Sequence, residues 1–260
     1  MQFVSIAERR LEYRLIAGDA ARSPLLFLHE GLGCAELWRE FPDRLAARLG
    51  ARALVYSRLG YGHSDALGGK RRPDFMHQEA LNVLPALLDQ FGFANPLLIG
   101  HSDGASIALI HAALARRSVS GLVLLAPHVF VEPICLDSIA KVREAYLASA
   151  ASANGLRRRL AKYHAHVDDA FLGWADVWLE PDFRAWTIED LSAAVTAPML
   201  LIQGRDDEYG TLAQLDSIKA RARVPVSRLV LANCGHSPQR DQERSVLETI
   251  VGFAKPLIVQ

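Results

Sequence analysis

Six short apolar segments recur along the chain, and longer stretches with a helical spacing of apolar residues separate them. Each segment is rich in Leu, Val and Ile and is bounded by Gly, Pro or Asn, which is typical of strands buried on both faces of a parallel sheet. The predicted strands are residues 24–29, 53–57, 96–100, 121–126, 198–203 and 228–232.

The stretches between these segments predict helices. In residues 36–49 apolar side chains recur at every fourth position, and residues 78–91 and 105–115 also have helical periodicity. Residues 3–16 alternate weakly and predict a leading antiparallel hairpin. The alternation of strands and helices indicates βαβ units and therefore an α/β fold. We expect a mostly parallel central sheet of about eight strands with helices on both faces.

One long segment, residues 132–190, interrupts this alternation, because it contains no strand-like run. It predicts several helices and contains three of the four tryptophans, including Trp174 and Trp178. We expect a helical cap over the carboxyl edge of the sheet, where open α/β sheets bind ligands. An ordinary packed helical subdomain is the alternative. The predicted organisation is a core in two parts, residues 1–131 and 191–260, with the cap between them.

The composition excludes several classes of protein. Lys and Arg together number 29, as do Asp and Glu, so the chain lacks the basic excess of a nucleic-acid binder. Half of the residues are hydrophobic, which excludes a disordered tail protein. The apolar runs are far shorter than the ~20 residues that span a bilayer, and the N-terminus has no signal-peptide pattern. Cys34, Cys135 and Cys234 have no CxxC spacing, which argues against a disulfide framework or a zinc site.

These exclusions predict a cytoplasmic protein with a small-molecule substrate and with no nucleic-acid or membrane partner. A homodimer is left open beside a monomer.

The strongest chemical signal is the sequence GHSDG at residues 100–104. It follows a predicted strand and precedes a predicted helix, the context that a G-x-S-x-G nucleophile elbow requires. Ser102 is therefore the candidate nucleophile. The alternative is a glycine-lined turn with an idle serine.

A serine hydroxyl needs a base to take its proton. His236, in the NCGHSP stretch after the last predicted strand, is the candidate, because no other histidine combines a late position with this loop context. An acid should orient the imidazole. Asp207, in QGRDDE after the fifth predicted strand, is preferred, and Asp206 is the alternative. The order Ser102, Asp207, His236 is the one expected for an α/β-hydrolase.

An acyl-transfer site also needs N–H donors for the oxyanion. We expect one donor to be the backbone N–H of Asp103, the residue after the nucleophile. The glycine-rich sequence HEGLG at residues 29–33 follows the first predicted strand and offers the N–H of Gly31, with Glu30 as a neighbouring candidate. A simple tight turn is the alternative for this motif.

Together these motifs make the chain resemble the lid-bearing branch of the α/β-hydrolase superfamily over nearly its whole length. The matching elements are HEGLG, SRLGYGHSD, GHSDGA, QGRDDEYG and CGHSP. Two positions depart from the family pattern. Ser57 stands where an Asp is usual, and Glu30 replaces a glycine of the usual HGGxG, which places a carboxylate near the oxyanion loop.

The S-D-G sequence at the elbow is similar to that of the valacyclovir hydrolase (biphenyl hydrolase-like) group, in which the equivalent Asp is understood to bind a substrate's α-amino group. This resemblance implies that Asp103 binds an ammonium group. The alternative is that Asp103 bonds neighbouring backbone or a histidine. Glu30, His63, Trp174 and Trp178 are the other candidate substrate-binding residues.

The expected function is that of a serine hydrolase that cleaves a small carboxylic ester or amide, with an α-amino-acid ester as the specific case. No metal or organic cofactor is implied. Two alternatives stay open on the same scaffold. One is hydrolysis of a C–C bond in meta-cleavage products, and the other is a non-catalytic ligand-binding receptor.

Overall fold

An eight-stranded sheet forms the centre of the computed structural model, which describes residues 2–149, 152 and 154–258. The strand order is β1-β2-β4-β3-β5-β6-β7-β8, with antiparallel pairing of β1 with β2 and of β2 with β4, and parallel pairing elsewhere. The strands are β1 (Gln2–Ile6), β2 (Arg9–Ile16), β3 (Leu25–Leu28), β4 (Ala53–Tyr56), β5 (Leu97–His101), β6 (Gly121–Leu125), β7 (Met199–Gly204) and β8 (Val226–Leu231). The predicted mostly parallel sheet is confirmed.

The predicted strands match the observed ones, and for five of the six the reason is burial on both faces, which leaves a clear pattern. The sixth, β8, was also predicted to be buried on both faces, but as the edge strand it is mostly half-buried. Every residue of β3 to β7 is buried, so these strands consist of continuous apolar runs. The leading hairpin is formed by β1 and β2, as its weak alternation predicts.

Ten α-helices lie in the described ranges. They are α1 (Phe41–Leu49), α2 (Phe75–Gln78), α3 (Leu84–Phe91), α4 (Asp103–Leu114), α5 (Pro133–Ala148), α6 (Leu156–Leu160), α7 (Val167–Leu179), α8 (Ala213–Arg221), α9 (Pro238–Asp241) and α10 (Glu243–Ala254). Short 3₁₀ helices occupy Glu36–Trp38, Pro181–Ala185 and Glu189–Ala193.

Two predicted helices are interrupted. The first consists of a 3₁₀ turn, Glu36–Trp38, followed by α1. The second passes through a π-helical turn, Glu79–Val83, between α2 and α3. In the π-helical pattern the carbonyl of Ala80 would accept the N–H of residue 85, but Pro85 has none. The ring Nδ1 of His111 lies 2.7 Å from that carbonyl and takes the place of the missing N–H. The apolar spacing in the sequence predicts the helix but does not predict the π-helical turn within it.

The sheet carries helices on both faces, because successive strand residues point to opposite sides. Leu25 and Phe27 of β3 belong to a cluster with apolar residues of α1 and α10. Leu26 and Leu28 belong to a second cluster with α2, α3, α4 and α8. Two layers of helices therefore enclose the sheet, as expected for an α/β fold.

The segment between β6 and β7 contains α5, α6, α7 and two of the 3₁₀ helices. Its apolar residues join the same cluster as those of α4. Residues 150, 151 and 153 of the predicted cap, and residues 1, 259 and 260 of the predicted core, lie outside the described residues. The division at residues 131/132 and 190/191 stays a prediction. None of the described helices is long and apolar enough to cross a bilayer.

Candidate active site

Ser102 occupies a strained turn between β5 and α4. Its φ is 53° and its ψ is −119°, a conformation that costs a non-glycine residue about 1–3 kcal/mol. The backbone N–H of Ser102 donates to the carbonyl of Leu125 on the neighbouring strand, at 2.9 Å. A side chain at Gly104 would overlap the carbonyl of Leu28, and one at Gly100 would overlap the carbonyl of Gly104. The glycine pattern therefore follows from close backbone approach.

His236 and Asp207 meet at the carboxyl ends of β8 and β7. The ring Nδ1 of His236 lies 2.8 Å from Oδ1 and 3.0 Å from Oδ2 of Asp207. The Asp207 carboxylate also accepts the backbone N–H groups of Tyr209, at 2.8 Å, and Gly210, at 3.2 Å. These contacts fix the carboxylate, so Asp207 can hold the imidazole in one orientation.

Asp206 points elsewhere. It is exposed, and its backbone N–H donates to the carbonyl of Cys234 at 3.0 Å. Of the two acids proposed from the sequence, the structure brings Asp207 to His236.

The pair is electrostatically coupled. Burial opposes the charge of Asp207, but the attraction and hydrogen bond of His236 outweigh it, and the pKa of this carboxyl falls below its ordinary value. Burial likewise opposes charge on His236, but Asp207 raises the pKa of the imidazole above its ordinary value. A neutral imidazole with Nδ1 bound to a carboxylate leaves Nε2 free as a base.

One cavity of about 100 Å³ contains most of the predicted site residues. Those that line it are Glu30, Gly31, Ser102, Asp103, Trp174, Trp178 and His236. His63 is not among the lining residues, and its backbone N–H donates to Oε2 of Glu12 at 3.0 Å. The structure therefore assembles residues that follow β3, β5 and β8, together with residues of α4 and α7, around one space and leaves His63 outside it.

Five further residues line this cavity that the sequence analysis does not single out. They are Leu32, His128, Cys135, Ile139 and Tyr209. His128 follows the carboxyl end of β6, the position that the ligand rule for α/β sheets favours. Cys135 and Ile139 lie four residues apart on one face of α5. The place of His128 after β6 and the spacing of Cys135 and Ile139 could have identified these three residues, once α5 was known to lie against the cavity.

Asp103 is fully buried next to Ser102, and its carboxylate contacts two side chains. Its Oδ1 accepts the indole N–H of Trp178 at 3.2 Å, and its Oδ2 lies 3.6 Å from a guanidinium nitrogen of Arg58. Burial raises the pKa of Asp103, and Arg58 opposes this shift in part. The partners found are thus neither the backbone nor the histidine that the sequence analysis offered as alternatives to an ammonium group.

Glu30 is the more accessible carboxylate of the cavity, with a side chain that is 30% exposed. Its Oε2 lies 3.3 Å from Nδ1 of His101. Burial would raise the pKa of Glu30, but the contact with His101 lowers it to about 2. This unusual residue of the loop after β3 therefore places a negative charge at the cavity wall. The three cysteines are buried and free.

Comparison with known proteins agrees with this geometry. Residues 25–249 match the model of a family described as "Alpha/beta hydrolase family". Proline iminopeptidase of Lactobacillus delbrueckii subsp. lactis is 32% identical over 114 residues, which cover 43% of this chain and 39% of that enzyme. The Lactobacillus proline iminopeptidases thus match this chain over well under two thirds of their own length.

Other relatives align over nearly the whole chain. A 2-hydroxy-6-oxononadienedioate/2-hydroxy-6-oxononatrienedioate hydrolase of Pseudomonas putida is 25% identical over 97% of this chain and 95% of its own. The structure of a thermophilic esterase from Thermogutta terrifontis superimposes with a TM-score of 0.76, at 18% identity, over 99% of both chains. At that identity the likeness shows the shared fold alone.

Proposed function

The chain belongs to the alpha/beta hydrolase family, and on that premise we propose that it is a serine hydrolase of small carboxylic esters or amides. One observation carries the proposal. A serine in a strained strand-to-helix turn shares a cavity with a histidine whose Nδ1 lies 2.8 Å from a buried carboxylate. This is the chemistry that acyl transfer through a serine requires.

In the proposed reaction Ser102 Oγ attacks the substrate carbonyl while Nε2 of His236 takes the hydroxyl proton. The backbone N–H groups of Gly31 and Asp103 stabilise the tetrahedral oxyanion. His236 then gives its proton to the leaving alcohol or amine, and an acyl-enzyme remains on Ser102. A water molecule that loses a proton to His236 hydrolyses this ester and restores the serine.

The cavity restricts the substrate to a small acyl group. Its volume is about 100 Å³, and its wall includes the apolar side chains of Ile139, Trp174 and Trp178. Burial of apolar substrate surface against these residues provides binding energy without a specific polar contact. We expect short acyl esters to be hydrolysed faster than long-chain ones.

A fluorophosphonate probe tests the assignment of Ser102. The wild-type protein and Ser120→Ala, which removes a buried serine outside the cavity, should both be labelled and should both hydrolyse p-nitrophenyl acetate. Ser102→Ala should lose labelling and, by analogy with other serine hydrolases, roughly 10⁴-fold or more in kcat. Labelling that persists in Ser102→Ala, or a folded wild type that never reacts, would contradict the proposal. The second result would favour a ligand-binding receptor.

An α-amino-acid ester is the finer form of the proposal. Asp103 is fully buried, whereas the Glu30 side chain is 30% exposed, lines the cavity and is ionised at neutral pH, so Glu30 is the carboxylate proposed to bind a substrate ammonium group. Glu30→Gln should then lower kcat/KM for alanine p-nitrophenyl ester more than for the acetate ester. Equal losses on the two esters would remove the ammonium site.

The full-length match to the Pseudomonas putida enzyme supports one alternative, hydrolysis of a C–C bond in a dienoic substrate. Rates of hydrolysis of simple esters, aminoacyl esters and a dienoic meta-cleavage product, measured with the wild type and with Ser102→Ala, separate the two reactions. A cytoplasmic location, a small-molecule substrate and a homodimer also remain proposals, to be tested by cell fractionation and by light scattering.

A further inference from the structure

We infer that Arg58 is a positioning residue for the oxyanion hole, an inference that rests on the proposed serine hydrolase function. Arg58 follows β4, and its side chain is 1% exposed. Its guanidinium lies between the two backbone segments that would supply the oxyanion donors. No motif of the sequence analysis gives it a role.

The first contact is with the peptide group that joins Glu30 to Gly31. The Glu30 carbonyl accepts Nη2 of Arg58 at 2.9 Å and also the backbone N–H of Gly33 at 3.1 Å. Nδ1 of His29 lies 2.7 Å from the same oxygen. Nε2 of His29 accepts the backbone N–H of Arg58 at 3.0 Å. The neutral ring therefore carries its proton on Nδ1, and this N–H donates a hydrogen bond to the backbone carbonyl of Glu30.

Fixing this carbonyl also fixes the proposed oxyanion donor. A peptide group is planar and trans, so its C=O and N–H bonds point in opposite directions. The carbonyl of Glu30 is held by Arg58, and the N–H of the same peptide group belongs to Gly31, which lines the cavity. A cationic donor on the carbonyl also polarises the amide and makes its N–H a stronger donor.

The second contact is with the other proposed donor. Nη2 of Arg58 lies 3.6 Å from Oδ2 of Asp103, whose backbone supplies the second oxyanion N–H. The carboxylate balances the buried charge of Arg58, which would otherwise be costly. The guanidinium therefore connects the loop after β3 to the start of α4. Nη2 makes both contacts, and the rigid guanidinium plane holds it there because Nε lies 3.4 Å from Nε2 of His29. A lysine side chain is one heavy atom shorter and has no Nε, so its ammonium is not held at the same place.

A purely structural role for the Arg58–Asp103 pair predicts a loss of stability and equal effects on every ligand. A positioning role predicts a loss specific to species with an oxyanion. Phenylboronic acid tests this difference, because its boron forms a tetrahedral adduct with a serine Oγ and presents a negative oxygen. Benzyl alcohol offers a similar ring without that oxygen.

We expect Arg58→Lys to lower kcat for p-nitrophenyl acetate by about 30-fold, less than the roughly 10²- to 10³-fold lost when an oxyanion donor is itself removed, and to leave KM within about threefold. Affinity for phenylboronic acid should fall in proportion to kcat/KM, while affinity for benzyl alcohol stays within about twofold. Arg71→Lys is the matched control, because Arg71 is also buried and stacked on Tyr61, but its hydrogen bond goes to the carbonyl of Leu59 and not to that of Glu30. Its kcat should stay within about twofold of wild type.

The double variant Arg58→Met/Asp103→Asn serves if the lysine variant does not fold, because it removes both charges of this buried pair together. It should show the same selective loss of phenylboronic acid affinity. Retention of that affinity within twofold in either variant, or an equal loss for benzyl alcohol, would overturn the role of Arg58 alone. A folded wild type that reacts with neither fluorophosphonate nor boronate would overturn the proposed function as well.

Discussion

Two buried carboxylates flank the cavity, and they have opposite electrostatic fates. Asp207, after β7, has a pKa below the ordinary value, whereas Asp103, at the start of α4, has a pKa above it. Both are desolvated, so burial alone does not explain the difference. Asp207 lies 2.8 Å from the ring nitrogen of His236 and accepts two backbone N–H groups. Asp103 has a 3.2 Å indole contact and a guanidinium at 3.6 Å.

The nature of the partner decides what each carboxylate can do. A histidine changes charge near neutral pH, so a carboxylate beside it creates a base. A guanidinium keeps its charge throughout, so a carboxylate beside it forms a fixed ion pair that holds the surrounding backbone. In the proposed mechanism the same residue type thus supports proton transfer on one side of the cavity and positioning on the other.

The largest expected effect tests the side that carries Asp207. Asp207→Asn should lower kcat by roughly 10³- to 10⁴-fold, because the amide no longer stabilises the imidazolium or selects the right tautomer. Asp206→Asn is the matched control, since Asp206 is exposed and next in sequence, and it should stay within about twofold. Steady-state kinetics on p-nitrophenyl acetate measure both, and the reverse ranking would assign the acid to Asp206.

Asp103→Asn tests the other side through stability. Removing one partner of this buried pair reduces the compensation of the Arg58 charge, so the free energy of unfolding should fall by about 3 kcal/mol. Asp89→Asn breaks the surface pair with Arg117, whose side chains are 65% and 37% exposed, and should cost no more than about 1 kcal/mol. Urea denaturation compares the two variants. Equal losses in the free energy of unfolding would show that the buried Arg58–Asp103 pair stabilises the fold no more than an exposed pair does.

Trp178→Phe isolates the indole contact of Asp103. The phenyl ring keeps most of the apolar packing but loses the N–H that donates to Oδ1. The expected destabilisation is about 1–2 kcal/mol in urea denaturation. Trp178→Phe in the Asp103→Asn background should cost less, because the charged acceptor is already gone. Strictly additive losses would argue that this hydrogen bond contributes nothing of its own.

The smallest expected effect is a displacement of the pH profile. In the proposed mechanism the base is neutral His236, so kcat/KM should fall as the pH decreases through its pKa, which Asp207 raises. In Asp207→Asn that support is lost, the imidazole pKa drops, and the acidic limb of the residual activity should move to lower pH. Asp206→Asn should leave the limb in place. A limb that moves to higher pH would contradict the assigned coupling.

Sequence patterns were informative wherever function depends on local structure. The run 96–100, the glycines around Ser102 and the apolar spacing of α4 lie within one continuous stretch, and they predicted the elbow because strand, turn and helix are each encoded by neighbouring residues. The loops containing Asp207 and His236 were found in the same way, from buried strands and their turn residues.

What the sequence could not supply were contacts between distant segments. Asp206 and Asp207 are adjacent, and only the turn after β7 decides which of them faces His236. His63 has a loop-like context, yet it does not line the cavity. The α-amino role inferred from family resemblance took no account of Arg58, because 45 positions separate it from Asp103.

The sequence by itself therefore determined the strands, most of the helices and the candidate nucleophile, base and acid. The tertiary structure decided the choice of Asp207, the size of the cavity and the pairing of Asp103 with Arg58. The physical reason is range. Propensity and periodicity act over a few residues, whereas an electrostatic environment is the sum over groups that strand order and helix packing bring together.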